Sequence, residues 1–200
     1  MKLNKTALLC VLAATTPMST YAADVRTNYV GISAGQATVD DFCGSEESSC
    51  DDNAPTFRVY GGTELNGFAD LEFGYRYIDD VEASGVVGGV GVAANVSGHF
   101  ADTTLQLGIP ETGPFKVFSK VGFMLWRLDI EAAASNGFQT FSSSDDETGV
   151  AFRTGLGMRY EITDKLSLRA DWDFLMDVGD EDETGESDIN IFSAGPEFRF

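Results

Sequence analysis

The segment formed by residues 189–200 alternates strictly between two kinds of side chain. One set is apolar: Phe192, Ala194, Pro196, Phe198 and Phe200. The other set is small or charged: Ser193, Gly195, Glu197 and Arg199. Because neighbouring side chains of a strand point to opposite faces, one face suits lipid and the other suits a polar lumen. The pattern predicts a strand of a β-barrel embedded in a membrane.

The opposite end of the chain has the pattern of a secretory signal. Lys2 and Lys5 precede an apolar run that is too short to span a bilayer as a helix. Residues 20–22 then place small side chains at the two positions that a signal peptidase recognises. We predict that residues 1–22 are a signal peptide, cleaved after its last residue or one residue later. Residues 23–200 are expected to form one outer-membrane β-barrel domain.

Two cysteines remain once the predicted signal is removed. A lipoprotein signal at Cys10 is disfavoured because the bulky Leu9 directly precedes it. Cys43 and Cys50 lie in one predicted loop, and an exported chain meets an oxidising compartment. We therefore predict a disulfide between them, worth about 2–3 kcal/mol on the chain-entropy model. That loop contains no histidine, which disfavours a metal site.

Composition and hydropathy narrow the classes of protein further. With a formal net charge of −19, nucleic-acid binding is not expected, because phosphate binding needs basic clusters. No segment approaches the roughly 18 consecutive apolar residues of a transmembrane helix. Since only helices and closed barrels satisfy every backbone group within lipid, a closed barrel is the remaining way to span a membrane. A mean hydropathy of −0.07 is compatible with strands that alternate.

The same alternation recurs along the chain and predicts eight strands. Their approximate bounds are 28–37, 55–64, 68–78, 96–109, 115–131, 149–162, 166–177 and 189–200. Three short turns alternate with four longer loops, the topology of barrels with short periplasmic turns. The acidic residues concentrate in segments expected to be loops: 40–52, 79–82, 145–147 and 177–188. The register between residues 79 and 96 stays open.

We therefore predict an all-β fold, an eight-stranded antiparallel up-and-down transmembrane β-barrel. The alternative is a soluble β-sandwich or a lipocalin-type barrel, in which the apolar face would form the core. Leu, Phe, Tyr and Trp side chains on one face suit a lipid-facing band, whereas opposite charges mixed with glycines make a poor hydrophobic core. The membrane barrel is thus favoured.

The inward face of the predicted barrel carries charges of both signs. The set consists of Arg58, Glu64, Asp70, Glu72, Arg76, Lys120, Arg153, Arg159, Arg169, Asp171, Asp173 and Glu197. Eight strands leave a bore that side chains can fill, and unpaired charges there would cost several kcal/mol each. We predict that these charges pair across the lumen as a salt-bridged plug. The alternative is a gated narrow pore.

His99 is the only histidine in the chain, and Ser97 lies two residues before it on the same strand face. Together with a third orienting group such as Asp102 or Glu82, this pair would be a candidate for nucleophilic catalysis. By the parity of the apolar residues in this strand, however, both side chains face outward near the outer rim. We predict a rim histidine without a catalytic role, no catalytic residues and no cofactor.

One acidic run, residues 180–185, loosely resembles a calcium-binding loop. Ile191 stands where such a loop would need its bidentate glutamate, so we predict no metal site there. Weak binding of divalent cations by the acidic loops, bridging to lipopolysaccharide phosphates, is one alternative. A solvated and mutually repulsive surface is the other, and we favour it.

Three segments, residues 118–129, 157–171 and 193–200, closely resemble parts of the OmpA transmembrane domain. The chain is thus similar to the OmpA-like family of eight-stranded outer-membrane barrels. The resemblance implies the outer membrane of a Gram-negative bacterium, contact with its lipid and lipopolysaccharide, and a monomer. Because the chain ends at Phe200, the family's periplasmic peptidoglycan-binding domain is not expected.

The resemblance also implies partners and a general role. Phe198 and Phe200 resemble the terminal signal that the barrel assembly machinery recognises, which implies that machinery and periplasmic chaperones as partners. We expect a structural and surface role: membrane integrity and loop-mediated adhesion or protection. The first alternative is a narrow pore for ions or small solutes. The second is a lipid-modifying enzyme that uses His99.

Overall fold

The computed structural model describes residues 27–40, 42–43, 49–87, 89–109, 113–135, 139–179 and 186–200. Its strands are β1 Asn28–Val39, β2 Ser49–Asp51, β3 Asn53–Asn66, β4 Ala69–Val87, β5 Val90–Gly108, β6 Phe115–Ser135, β7 Thr140–Glu161, β8 Leu166–Val178 and β9 Ser187–Arg199. The predicted signal peptide, residues 1–22, lies outside the described residues. Within the described ranges, no helix is long and apolar enough to cross a membrane.

Eight of the strands close into a ring. Their order is β4, β3, β1, β9, β8, β7, β6 and β5, and β5 pairs back onto β4. All pairings are antiparallel, and the ends of the chain meet where β1 pairs with β9, for example at Ala34 and Ala194. The predicted eight-stranded up-and-down barrel is thereby confirmed.

The wall of the barrel follows the alternation of the sequence. In β8, the inward residues Ser167 and Asp173 are buried, whereas Leu168 is 50% exposed. Neighbouring strands repeat the pattern, and Phe123 of β6 is 65% exposed. Large apolar side chains that would be costly in water therefore form the outer face, as lipid requires.

The barrel strands are longer than the sequence analysis predicted, and β4 to β7 are the longest, with 19 to 22 residues each. A tilted strand crosses a bilayer with about 9–11 residues, whereas β6 has 21 residues and β7 has 22. The open segment 79–96 is almost entirely strand of β4 and β5, and most of the predicted loop 132–147 is strand of β6 and β7. The acidic groups 79–82 and 145–147 thus lie in strands, and their assignment to loops was wrong.

The strands extend beyond their predicted ends because the prediction followed the alternation of lipid-facing apolar residues. Lipid-facing alternation stops at the membrane surface, but backbone pairing continues through Ala, Ser, Gly and Val residues that any environment tolerates. A register shift between Ile78 and Val81 also breaks the two-residue period there. We name the paired outer parts, residues 81–87, 90–96, 129–135 and 140–148, the extracellular extension.

A short additional strand borders this extension. The sequence-predicted disulfide joins Cys43 to Cys50, whose Cα atoms are 5.7 Å apart. Cys50 belongs to β2, which pairs with β4 through Ser49 opposite Ser84 and Asp51 opposite Glu82. The disulfide therefore restrains the loop that supplies a strand to the edge of the extension.

Removal of this disulfide by the double change Cys43→Ser and Cys50→Ser should loosen residues 40–52. If the free energy of opening this loop falls by about 2–3 kcal/mol, the population of the opened loop rises roughly 30- to 150-fold. The initial rate of proteolytic cleavage within residues 40–52 measures this population. Cleavage within residues 129–148 serves as the internal control and should stay constant. An unchanged rate at the loop would mean that the β2–β4 pairing holds it without the disulfide.

Candidate functional site in the barrel interior

The interior of the barrel contains a balanced set of buried charges. Six are basic and six are acidic: Arg58, Arg76, Lys120, Arg153, Arg159, Arg169, Asp70, Glu72, Asp102, Asp171, Asp173 and Glu197. We call these twelve residues the charge network. The sequence analysis predicted eleven of them as lumen charges, but not Asp102. Glu64, which was named, is only partly buried near the end of β3, opposite Asp70 in the ladder.

Glu72 lies at the centre of the charge network. It is 0% exposed, and its carboxylate accepts hydrogen bonds from Arg58 at 2.9 Å and Arg169 at 2.5 Å. Gln106 donates a further hydrogen bond at 2.6 Å. Strands β3, β4, β5 and β8 thus meet at a single carboxylate, which links opposite sides of the wall.

Asp173 connects the network toward the extracellular side. Its carboxylate lies 2.7 Å from the Arg76 guanidinium and 2.8 Å from that of Arg153, and it also pairs with Lys120. Lys120 contacts a second carboxylate, Asp171, at 2.7 Å. Asp173 Oδ1 is shared by Arg153 and Lys120, and Oδ2 pairs with Arg76, so each of these three positive groups has a counter-ion.

Asp102 was missed as a lumen residue. It accepts a 2.6 Å hydrogen bond from Arg58 and also pairs with Arg153. The sequence analysis considered it as a partner of His99, and that placement was wrong because the two side chains lie on opposite faces of β5. The sequence did contain evidence for a lumen position, because Asp102 has the same parity as the inward Thr104 and the opposite parity to the outward Leu105.

Toward the periplasmic end, aromatic rings separate the charges from the wall. The Arg169 guanidinium lies 4.5 Å from the centre of the Tyr60 ring and 4.9 Å from that of Phe118. Arg159 lies 5.1 Å from the ring of Tyr29 and pairs with Glu197, whose Oε2 accepts a 3.0 Å hydrogen bond. Such cation–π contacts are worth about 2 kcal/mol or more when desolvated.

Above the charge network, the interior is apolar, which the sequence analysis did not predict. The cluster consists of Ala37, Ala54, Ile78, Val81, Phe100, Met124, Trp126, Ala151, Leu175, Val178, Ile189 and Ile191. We call it the apolar layer. Phe100 and Ile191 are 1% and 0% exposed, which shows that the barrel is filled there as well. Most members of the apolar layer have the same inward parity as the lumen charges, so the sequence contained evidence for an apolar part of the lumen.

His99 faces outward, as its parity predicts. The Tyr75 hydroxyl lies 2.7 Å from His99 Nδ1, and the Asp129 carboxylate lies 3.5 Å from Nε2. The nearest orienting carboxylate is therefore Asp129 of β6. The imidazole is 40% exposed and its ring also packs on Tyr77 at 5.1 Å. Among the described residues, no group of three or more His, Cys, Asp or Glu side chains is arranged to hold a metal ion.

A match between the sequence and a family model identifies the protein family of this barrel. A family model described as the OmpA-like transmembrane domain matches residues 23–200. This chain belongs to the OmpA-like transmembrane domain family. It is an outer-membrane β-barrel protein of the Gram-negative type, which confirms the predicted family and compartment.

Full-length relatives of this OmpA-like chain are longer. Outer membrane protein A of Shigella flexneri is 26% identical over 211 residues, covering 100% of this chain and 56% of that protein. The Serratia marcescens protein of the same name is 26% identical over 216 residues, with the same coverage. The chain therefore spans little more than half the length of these relatives.

Solved structures with the same fold share little sequence with this OmpA-like barrel. Neisserial surface protein A has a TM-score of 0.52 at 18% identity, covering 86% of this chain and 97% of that one. A major outer membrane protein from Thermus thermophilus has a TM-score of 0.57 at 10% identity, covering 87% and 99%. These likenesses concern the barrel fold alone.

The arrangement in this OmpA-like barrel is suited to holding the wall closed. Carboxylates and guanidinium groups of different strands are joined across the lumen, and each member of the charge network has a partner of opposite sign. The apolar layer covers this network on the extracellular side. Water-filled barrels are wider, whereas small barrels fill their bore with side chains.

Proposed function

We propose that this protein is a closed structural barrel of the outer membrane that presents an extracellular β-sheet at the cell surface. The observation that carries the proposal is the filled interior, a balanced charge network beneath an apolar layer. A pore would need a continuous polar path, and two different kinds of packed side chain interrupt it. The filled interior thus supports the barrel wall and the extracellular extension that the wall carries.

The surface role rests on the extracellular extension. Strands β4 to β7 continue as paired strands well past the length that a bilayer requires, and residues 140–146 are all exposed. Phe141, at 67% exposure, lies among Ser142, Ser143 and Ser144. A rigid sheet with an exposed aromatic and many hydroxyl groups fits a role in adhesion or protection.

Truncation separates the barrel from the displayed sheet. Replacement of residues 83–93 and 131–143 by short turns should leave a folded barrel that unfolds at the same urea concentration. Whole cells that carry the truncated protein should lose adhesion to surfaces or protection from serum, compared with cells that carry the full chain. Retention of both surface properties would contradict the proposed role of the extension.

Conductance tests the closed lumen. Residues 23–200, refolded and inserted into a planar bilayer, should give no steady openings because buried charges and the apolar layer fill the bore. The folded state of the inserted protein is verified by its circular dichroism. Steady openings that change size when Glu72 or Arg169 is neutralised would instead establish the alternative, a narrow pore.

Export and assembly form a further part of the proposal. We infer that residues 1–22 are removed as a signal peptide and that the barrel assembly machinery and periplasmic chaperones insert the remainder. Phe198 and Phe200 support this inference, since their rings stack outward at 6.5 Å and are 46% and 65% exposed. Lipid and lipopolysaccharide are the expected neighbours of the outer wall.

We infer a non-enzymatic role for His99. The hydroxyl group at its Nδ1 belongs to Tyr75 and not to Ser97, the serine that the catalytic alternative would need as its nucleophile. Analysis of lipid A from cells carrying His99→Ala tests this assignment. Identical lipid A in variant and parent supports it, and a changed acylation pattern contradicts it.

A further inference from the structure

The extracellular end of the lumen contains a cavity of about 230 Å³. Its lining includes Ile78, Val81, Val96, Phe100, Leu128 and Val178. We call it the mouth cavity. Apart from Ser97 and Ser187, every lining residue in the described part of the chain is apolar or glycine.

The mouth cavity has a sealed floor. Phe100, Ile78 and Val81 belong to the apolar layer, and the first of these is only 1% exposed. Below that layer lies the charge network, which joins the strands across the bore. The apolar layer and the charge network therefore block passage toward the periplasm. Among the described residues, the cavity is a cup bordered by the extracellular ends of β1, β8 and β9 at Val39, Val178 and Ser187.

A glycine helps to form this cup. A Cβ atom at Gly98 would lie 2.5 Å from the Phe100 ring and 3.2 Å from Leu128 Cδ2. The absence of a side chain at Gly98 lets the Phe100 ring lie against the wall of β5. The ring then forms the base of the cavity while the space above it stays open.

Size and polarity define the occupant. An apolar cavity of about 150 Å³ stays dry and binds benzene, so a cavity of about 230 Å³ has room for a somewhat larger molecule. None of the lining side chains among the described residues is charged, so these residues offer no counter-ion to an ionised ligand.

Acidic residues at the rim of the mouth cavity disfavour negatively charged ligands. Asp40 and Asp188 lie near the outer ends of β1 and β9, and Asp177 donates its backbone N–H to the Asp188 carboxylate at 3.3 Å. Carboxylates around an apolar opening repel anions and leave neutral molecules unaffected. An anionic amphiphile is therefore a poor occupant.

We propose that the mouth cavity binds one small, uncharged apolar molecule, about the size of two fused rings, that enters from outside the cell. The site is independent of the proposed structural role, since it uses the apolar layer only as its floor. It gives the closed barrel a receptor-like site that faces the medium.

The test uses the refolded barrel, residues 23–200, in phospholipid nanodiscs with ¹³C-labelled methyl groups. The probe is 2-naphthol, which is neutral at pH 7, and its anionic counterpart is 2-naphthoate. Methyl signals of Ile78, Val81 and Val96 should shift saturably with 2-naphthol. Lipid-facing Val59 and Val121 should show only the unsaturable drift of a probe dissolved in the bilayer. The anion should bind at least about tenfold more weakly.

Two variants make the test specific. Val96→Phe fills the cavity and should weaken 2-naphthol binding about tenfold or more, while the same change on the lipid face, Val121→Phe, should have no effect. Leu128→Ala enlarges the cavity and should keep saturable binding, which provides a second check if the larger side chain prevents folding. Equal shifts at lumen and lipid-facing methyls, or binding that survives Val96→Phe in a folded barrel, would overturn the proposal.

Discussion

Replacement of Asp173 by Asn is expected to destabilise the folded barrel by about 3–5 kcal/mol. Asp173 is fully buried and pairs with Arg76, Arg153 and Lys120. The last two keep another carboxylate, Asp102 and Asp171 respectively. Within the described part of the chain, Asp173 is the one carboxylate that pairs with Arg76, so the change leaves a buried guanidinium without a counter-ion.

Reversible urea unfolding of the barrel in phospholipid vesicles, followed by tryptophan fluorescence, measures this loss. The matched control is Asp145→Asn in the extracellular extension, where the side chain is exposed and the change should stay within about 0.5 kcal/mol. The double change Asp173→Asn with Arg76→Gln should cost less than the sum of the single changes. Two results would show that the charge network does not support the wall: stability losses that add in the double variant, or a loss for Asp173→Asn as small as that for Asp145→Asn.

Replacement of Gly195 by Ala is expected to cost about 3 kcal/mol or more by overpacking the seam that closes the barrel. A Cβ atom at Gly195 would lie 2.8 Å from Ser33 Cα and closer still to the carbonyl oxygen of Ile32. Both are backbone atoms of β1, which pairs with β9 along this seam. A flexible side chain could rotate away, but main-chain atoms can yield only if the ladder shifts.

Gly113→Ala is the matched control, because a Cβ atom there meets nothing within 4 Å. That variant should unfold at the urea concentration of the parent or slightly above it, since alanine restricts the unfolded chain. Gly195→Ala should also lower the yield of folded barrel when the protein is refolded into vesicles. Equal stability of the two variants would mean that the seam is looser than its backbone contacts indicate.

The outer wall and most of the charge network were predictable because both follow from a two-residue period. Side chains such as Phe123 and Lys120 differ in parity, and parity alone assigns one to lipid and the other to the lumen. The same rule assigns Asp102 to the lumen, whereas the sequence analysis considered it as a partner of His99, which lies on the other face of β5. Most residues of the mouth cavity also have inward parity. Ser97 has outward parity, and Val81 and Val178 follow register shifts, so the sequence did not reveal that these residues share one location.

The amino-acid sequence by itself determined the class of fold, the number of barrel strands and the sidedness of their membrane-spanning parts, because these depend on local periodicity. The resemblance of three segments to the OmpA transmembrane domain indicated the family. The tertiary structure decided which inward residues meet. Glu72 and Arg169 are 97 positions apart in the chain, and their contact depends on ring closure and register. It also decided how far strands β4 to β7 continue, because backbone pairing between neighbours persists where the lipid pattern has ended. Contacts across a closed barrel arise from all strands together, and no local pattern encodes them.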